Sequence, residues 1–118
     1  LNNFRTIRYA EVLLMAAEAN NRTSNDVKAR DYLNRVRQRA FGDNLHNINS
    51  SGDALKLAIW DERRLELAME GDRFFDLVRT GKAASVLGTL GFVAGKHELF
   101  PIPQGEVDLA GLTQNPGY

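Results

Sequence analysis

These 118 residues contain no cysteine. That excludes a disulfide, a thiolate metal site and a cysteine nucleophile, and it leaves the redox compartment unmarked. Proline is scarce, with three residues that all lie beyond position 100. Neither sign of charge is in excess, because fifteen basic residues balance fifteen acidic ones. A neutral chain has no electrostatic basis for non-specific attraction to nucleic acid or to an anionic membrane surface. No apolar run is long enough to span a bilayer. The opening LNNFRTIRYAEVLL places Arg5 and Arg8 where a signal peptide would be apolar, and no methionine begins it. A fragment of a longer polypeptide is expected, with any targeting signal upstream.

What is present fits one small folded domain: 43% hydrophobic and 25% charged residues. Arginine outnumbers lysine eleven to four. The guanidinium fork pairs bidentately with carboxylates and tolerates partial burial, so a neutral, arginine-rich chain points to internal ion pairs.

The pattern predicts helices first and irregular chain last, with no βαβ alternation, and hence an all-α fold. A first helix is expected over Arg5 to Asn20 and a second over Asn25 to Ala40, the latter with Val27, Leu33, Val36 and Ala40 at helical spacing. Thr23 to Asp26 has the spacing of a capping box. The small residues Ala16, Ala17 and Ala29 beside Leu13, Leu33 and Val36 suggest a tetratricopeptide-type hairpin. After a polar loop, a third helix is expected from Asp53 to Glu70, stopped by Gly71. A short fourth helix, capped by Asp72, covers Arg73 to Arg79, and one more turn covers Ala83 to Leu87. Residues 89–118 hold all the prolines and read as an irregular strap, extended over His97 to Phe100 because Pro101 disfavours helix before it. The organisation is thus one fragment, helical over 1–88 and irregular over 89–118.

The chemistry centres on ERRLELAMEGDRFFDL. On a helical wheel Leu55, Ile59, Glu62, Arg63, Glu66 and Glu70 share one face, and other apolar residues nearly encircle the helix. Glu11 and Glu18 form a second acidic line on the first helix. Carboxylates at the edge of a core need cations or several donors. Arg8, Arg37, Arg39, Arg63, Arg73 and Arg79 are candidate partners. A di-metal site would want Glu-x-x-His pairs on facing helices, but Leu65 and Met69 stand where histidines would be needed, and His46 and His97 fall in loops. A glycosidase would need two carboxylates across a cleft, which glutamates along one helix do not provide. No catalytic residue, metal ligand or cofactor site is assigned. His97 is expected to be a loop hydrogen-bonder, and Phe74-Phe75 to seal a core.

Five pieces stand in order: RYAEVLLMAAEA, DYLNRVRQRAF, ERRLELAMEGDRFFDLVRTG, FPIPQGEV and the terminal QNPGY. Together they resemble the C-terminal part of the SusD/RagB family. The resemblance implies a surface-exposed outer-membrane lipoprotein of Bacteroidetes that binds glycans or other nutrients. It would cap a SusC-like TonB-dependent transporter, and it would not be an enzyme. Its partners would be that transporter, the missing N-terminal region of the same protein and an oligosaccharide or other nutrient, with no nucleic acid. The matching motif residues are Glu11, Glu18, Asn34, Arg37, Arg39, Glu62, Arg63, Glu66, Glu70, Gly71, Arg73, Asp76 and Arg79. They are carried over as scaffold residues, because ligand contacts in such a family come mainly from a region absent here. On that view the three glutamates of the third helix lock arginines of neighbouring segments and of the strap. The alternatives are a generic helical-repeat interaction module and a hydrolase using Glu62 or Glu66.

Overall fold

The computed structural model describes residues 6–118, so the expected helical start at Arg5 lies outside the described residues. Helix α1 spans Tyr9–Arg22, α2 spans Asp26–Phe41 and α3 spans Gly52–Glu66. Helices α4 (Arg73–Arg79) and α5 (Ala83–Leu87) follow, then a 3-10 turn over Gly88–Leu90 and helix α6 (Gln104–Ala110). No strand occurs among the described residues, and the fold is all-α. The chain divides into two compact units, Leu1–Gly71 and Asp72–Tyr118.

In the first unit α1 and α2 form the expected hairpin, with α3 packed on both. Leu13, Leu14 and Ala17 of α1 meet Ala29, Leu33 and Val36 of α2 and Leu55 and Ile59 of α3 in one core. Six of these eight side chains have no measurable exposure, so the hairpin is closed where its small residues permit close approach. The apolar residues on the far faces are not covered. Met15 of α1 and Leu57 and Leu65 of α3 are all about half exposed or more. Apolar residues encircle these helices in sequence, but only one side of each is buried here.

Several boundaries differ from expectation for identifiable reasons. Arg8 is extended (φ −108°, ψ 154°), and α1 begins only after it, because its side chain reaches into the first unit's ion-pair network. The Thr23–Asp26 capping box does not form. The Thr23 hydroxyl donates back to the carbonyls of Ala19 and Asn20. The Asp26 carboxylate accepts instead from the Gly52 amide at 2.6 Å and from Asn21 Nδ2 at 2.9 Å. A residue that local spacing assigns to its own helix start therefore ties the hairpin turn to the start of α3. Helix α3 ends at Glu66 rather than Glu70, with Met69 (φ 68°) and Gly71 (φ 93°) both left-handed. Left-handed geometry at a methionine is a tertiary choice that propensity does not signal.

The strap is not wholly irregular. Helix α6 starts after Pro103, whose fixed φ suits a helix entry, and ends at Gly111 (φ 62°). His97 to Phe100 is turned rather than extended, since the His97 amide donates to the Val93 carbonyl and its ring Nδ1 accepts the Val93 amide. Asp72 precedes α4, but its side chain makes no cap bond.

The loop between α2 and α3 is held by one edge of α2. Arg30 donates to the Ser50 carbonyl, Gln38 to the Asn47 side chain and Arg37 Nε to the His46 carbonyl. Asn34 pairs with both main-chain groups of Ile48, donating to its carbonyl at 3.0 Å and accepting its amide at 2.8 Å. These positions recur at helical spacing, so the loop lies along the helix as a strand would along a neighbour. Asn34→Ala leaves a half-buried amide and carbonyl unpaired and should cost about 2–3 kcal/mol. Urea denaturation reads the loss, and proteolysis should cut within residues 42–51 before the rest of the domain.

Candidate functional site

Helix α3 presents Leu55, Ile59, Glu62 and Arg63 to the interior, one face at the spacing of successive turns. Its first half seals the apolar core and its second half carries charge. Glu62 is 5% exposed and Arg63 6% exposed, so both are inside the protein with their charges. Each is matched. Arg37 of α2 donates Nη1 to Glu62 Oε2 while its Nε holds the His46 carbonyl. Arg63 lies 3.8 Å from Glu11 of α1. One turn later Glu66 receives two guanidinium groups on a single oxygen, from Arg39 of α2 and from Arg8.

Arg8 is the most heavily bonded side chain of the group. Its Nη1 donates to the Glu66 carboxylate at 2.8 Å and its Nη2 to the Glu66 carbonyl at 2.8 Å. Nε and Nη2 also grip Glu70 in a fork, at 3.0 and 2.7 Å. It thereby caps the C-terminal end of α3 with positive charge and fixes the non-helical turn that follows. The hydrogen bonds to Glu70 and Glu66 raise the Arg8 guanidinium's affinity for its proton, and the same contact with Arg8 holds the Glu70 carboxyl below the usual carboxylate range.

Of the remaining motif residues, Glu18 is buried and bonded by Arg22 at 2.8 Å, one turn away on α1. Asn34 faces Ile48, as described above. In the second unit Asp76 is buried and accepts from Arg79 Nε at 2.8 Å. Gly71 supplies a left-handed turn residue but does not end α3. For Arg73, no ion pair with a carboxylate occurs among the described residues. The partners of Glu62, Glu66 and Glu70 come from α2 and from Arg8, and not from the strap, which has no arginine. Among the described residues no group of three His, Asp or Glu side chains stands close enough to hold a metal ion.

A second set of contacts joins FPIP to QNPGY in the second unit. The Gln114 side chain pairs with both main-chain groups of Ile102 at 2.8 Å. Asn115 Nδ2 donates to the Phe100 carbonyl, and the Tyr118 hydroxyl donates to the Leu99 carbonyl at 3.1 Å. Gly117 is left-handed, and a Cβ there would stand 3.0 Å from the Lys96 side chain that lies over the Tyr118 ring. Neither Asp26 nor Gln114 stands out as a site in the sequence. The signal that could have found Gln114 and Asn115 is two prolines opposite two amide side chains.

The sequence profile of the SusD family matches residues 1–91, most of the chain and all of its charged network. The chain belongs to the SusD family. It is 37% identical to SusD-like protein P2 of Formosa agariphila, over 98% of this chain and 26% of that protein. It is 35% identical to SusD-like protein P38 of the same organism, over 98% of this chain and 25% of that protein. Among solved structures, a laminarin binding SusD-like protein superposes with a TM-score of 0.80 and 46% sequence identity, over 95% of this chain and 22% of that one. The chain therefore spans about a quarter of the length of the relatives it matches.

Burial ranks these pairs. Glu62 and Arg37 have side chains only 7% and 18% exposed, whereas Glu66 at 9% faces Arg39 at 60% and Arg8 at 30%. Glu62→Ala strands a guanidinium away from water and should cost about 3–5 kcal/mol; Glu66→Ala leaves both partners able to rehydrate and should cost about half that. Chemical denaturation of the two variants settles the order, and equal midpoints would refute it.

The pH dependence has a definite sign. Asp26, through the Gly52 amide and Asn21, and Glu70, through Arg8, bind protons less tightly folded than unfolded. Their stabilisation is complete above the ordinary carboxylate range near about pH 4 and is lost as pH falls through the lower folded values. Thermal midpoints should fall on acidification below about pH 5, less steeply in Asp26→Asn than in wild type.

Proposed function

We propose that this chain is the helical scaffold of a glycan-binding protein of the bacterial cell surface, working with a SusC-like TonB-dependent transporter in the outer membrane. Its signal and lipid anchor would lie outside these residues, and it would perform no catalysis of its own. The observation that carries this reading is that Glu62 and Glu66 of α3 and Glu70 just beyond it each already accept from a guanidinium. A general acid or base must be free to exchange a proton with substrate, and a nucleophile must be able to approach it. Glu62, Glu66 and Glu70 are committed instead to holding α1, α2 and α3 together. In this reading Glu11, Glu18, Asn34, Arg37, Arg39, Arg63, Asp76 and Arg79 are scaffold residues by their contacts. Gly71 is one by its turn, and Arg73 by its place in the motif.

The similarity to a laminarin binding SusD-like protein makes laminarin, among soluble glycans, the first ligand to test. The ligand contacts would come mainly from the three-quarters of the polypeptide beyond this segment. Calorimetric titration of the longer polypeptide with laminarin and with unrelated glycans should give saturable binding to one of them. Prolonged incubation should release no reducing ends. Release that disappears in Glu62→Gln would establish the hydrolase reading instead, and no binding to any glycan would leave the interaction-module reading.

A further inference from the structure

The second unit, Asp72–Tyr118, lacks a core of its own. Its buried apolar residues are Leu77 and Ala83, whereas nine large apolar side chains in it are exposed, among them Leu90 at 81% and Phe100 at 70%. So much exposed apolar surface on a segment of this size marks a face that another surface covers. Four of the nine, Leu90, Leu99, Phe100 and Tyr118, line a crevice of about 370 Å³ together with the less exposed Phe74, Leu87, Phe92 and His97.

The walls of this crevice are fixed in advance. Phe74 packs its ring against Phe92 and Phe100, with centroids 6.3 and 6.2 Å apart. The Tyr118 hydroxyl is anchored on Leu99, and Lys96 covers the Tyr118 ring at 4.5 Å. His97 Nδ1 accepts the Val93 amide at 2.9 Å, so in the neutral ring the hydrogen sits on Nε2, for which no partner occurs among the described residues. The crevice thus offers aromatic and aliphatic walls with one ring N–H donor.

We propose that this crevice receives an apolar segment of the same polypeptide, from the part outside these 118 residues, with a main-chain carbonyl facing His97 Nε2. The choice of occupant rests on two facts. The relatives that match this chain end to end are about four times as long, so an intramolecular occupant is at hand. The walls are overwhelmingly apolar, whereas a glycan needs several converging polar groups. The inference takes from the proposed function only that this chain is part of a longer SusD-like protein.

These 118 residues hold no cysteine, so one introduced among them is read without ambiguity in the peptides of this segment. Leu90→Cys, at an exposed position on the crevice rim, is placed in the longer polypeptide, and its alkylation by iodoacetamide is followed by peptide mass spectrometry, folded and in denaturant. The folded protein should label at least about tenfold more slowly than the unfolded one, and His97→Ala should raise the folded rate. Labelling within about twofold of the unfolded rate would overturn the proposal, because the crevice would then be open. So would protection that appears only on adding laminarin, or only at concentrations where light scattering detects dimers, since a glycan or a second copy would then be the cover. Protection without laminarin binding would sink the choice of ligand while leaving this inference intact.

Discussion

Everything in the first unit depends on one constraint: a carboxylate taken out of water must be met by a cation and by hydrogen bonds. The α1–α2 hairpin could close on its small residues alone, but α3 could not. Half of its inward face is charged. Glu62 fixes the rotation of α3 against α2 through Arg37, Arg63 approaches Glu11 of α1, and Glu66 with Glu70 fixes the end of α3 through Arg8. Three helices are thereby held at three heights. Apolar packing alone would tolerate α3 turning or sliding by a fraction of a turn; directional, desolvated pairs do not.

This constraint also explains the composition. The chain is neutral, and while many of its charges lie on the surface, Glu18, Glu62, Arg63 and Asp76 are carried into the interior. Arg37 illustrates why arginine is preferred to lysine. One guanidinium bonds the buried Glu62 carboxylate through one nitrogen and a loop carbonyl through another. Lysine could supply the charge, but its ammonium lacks the planar fork that reaches two acceptors in fixed directions. Arg8 takes the same property further, serving two carboxylates and a carbonyl at once.

The sequence was most legible where a local pattern and the tertiary fold agree. Helical spacing placed α1 to α5 and the core residues Leu13, Leu33, Val36, Leu55 and Ile59, and the excess of arginine announced the ion pairs. It was least legible where a long-range partner outbids a local one. Asp26 has the spacing of a cap but spends its oxygens on Gly52 and Asn21. Met69 takes a left-handed conformation within a helix-favouring sequence while Arg8 holds Glu70 beside it. Helix α6 was hidden among prolines and glycines, although Pro103 and Gly111 are the residues that bound it.

The second unit solves a different problem. Two prolines within FPIP remove the amides that a strand would use, and Pro116 removes another on the opposing side. Main-chain pairing is therefore unavailable, and side chains replace it in nested antiparallel order: Leu99 with Tyr118, Phe100 with Asn115, Ile102 with Gln114. A backbone ladder is indifferent to sequence, but this closure is not, because each bond requires an amide or a phenol at one spacing. FPIP and QNPGY consequently act as two halves of one device. Its product is the fixed placement of Phe100 and Tyr118, which remain 70% and 45% exposed. Such order suits a surface on which another segment comes to rest.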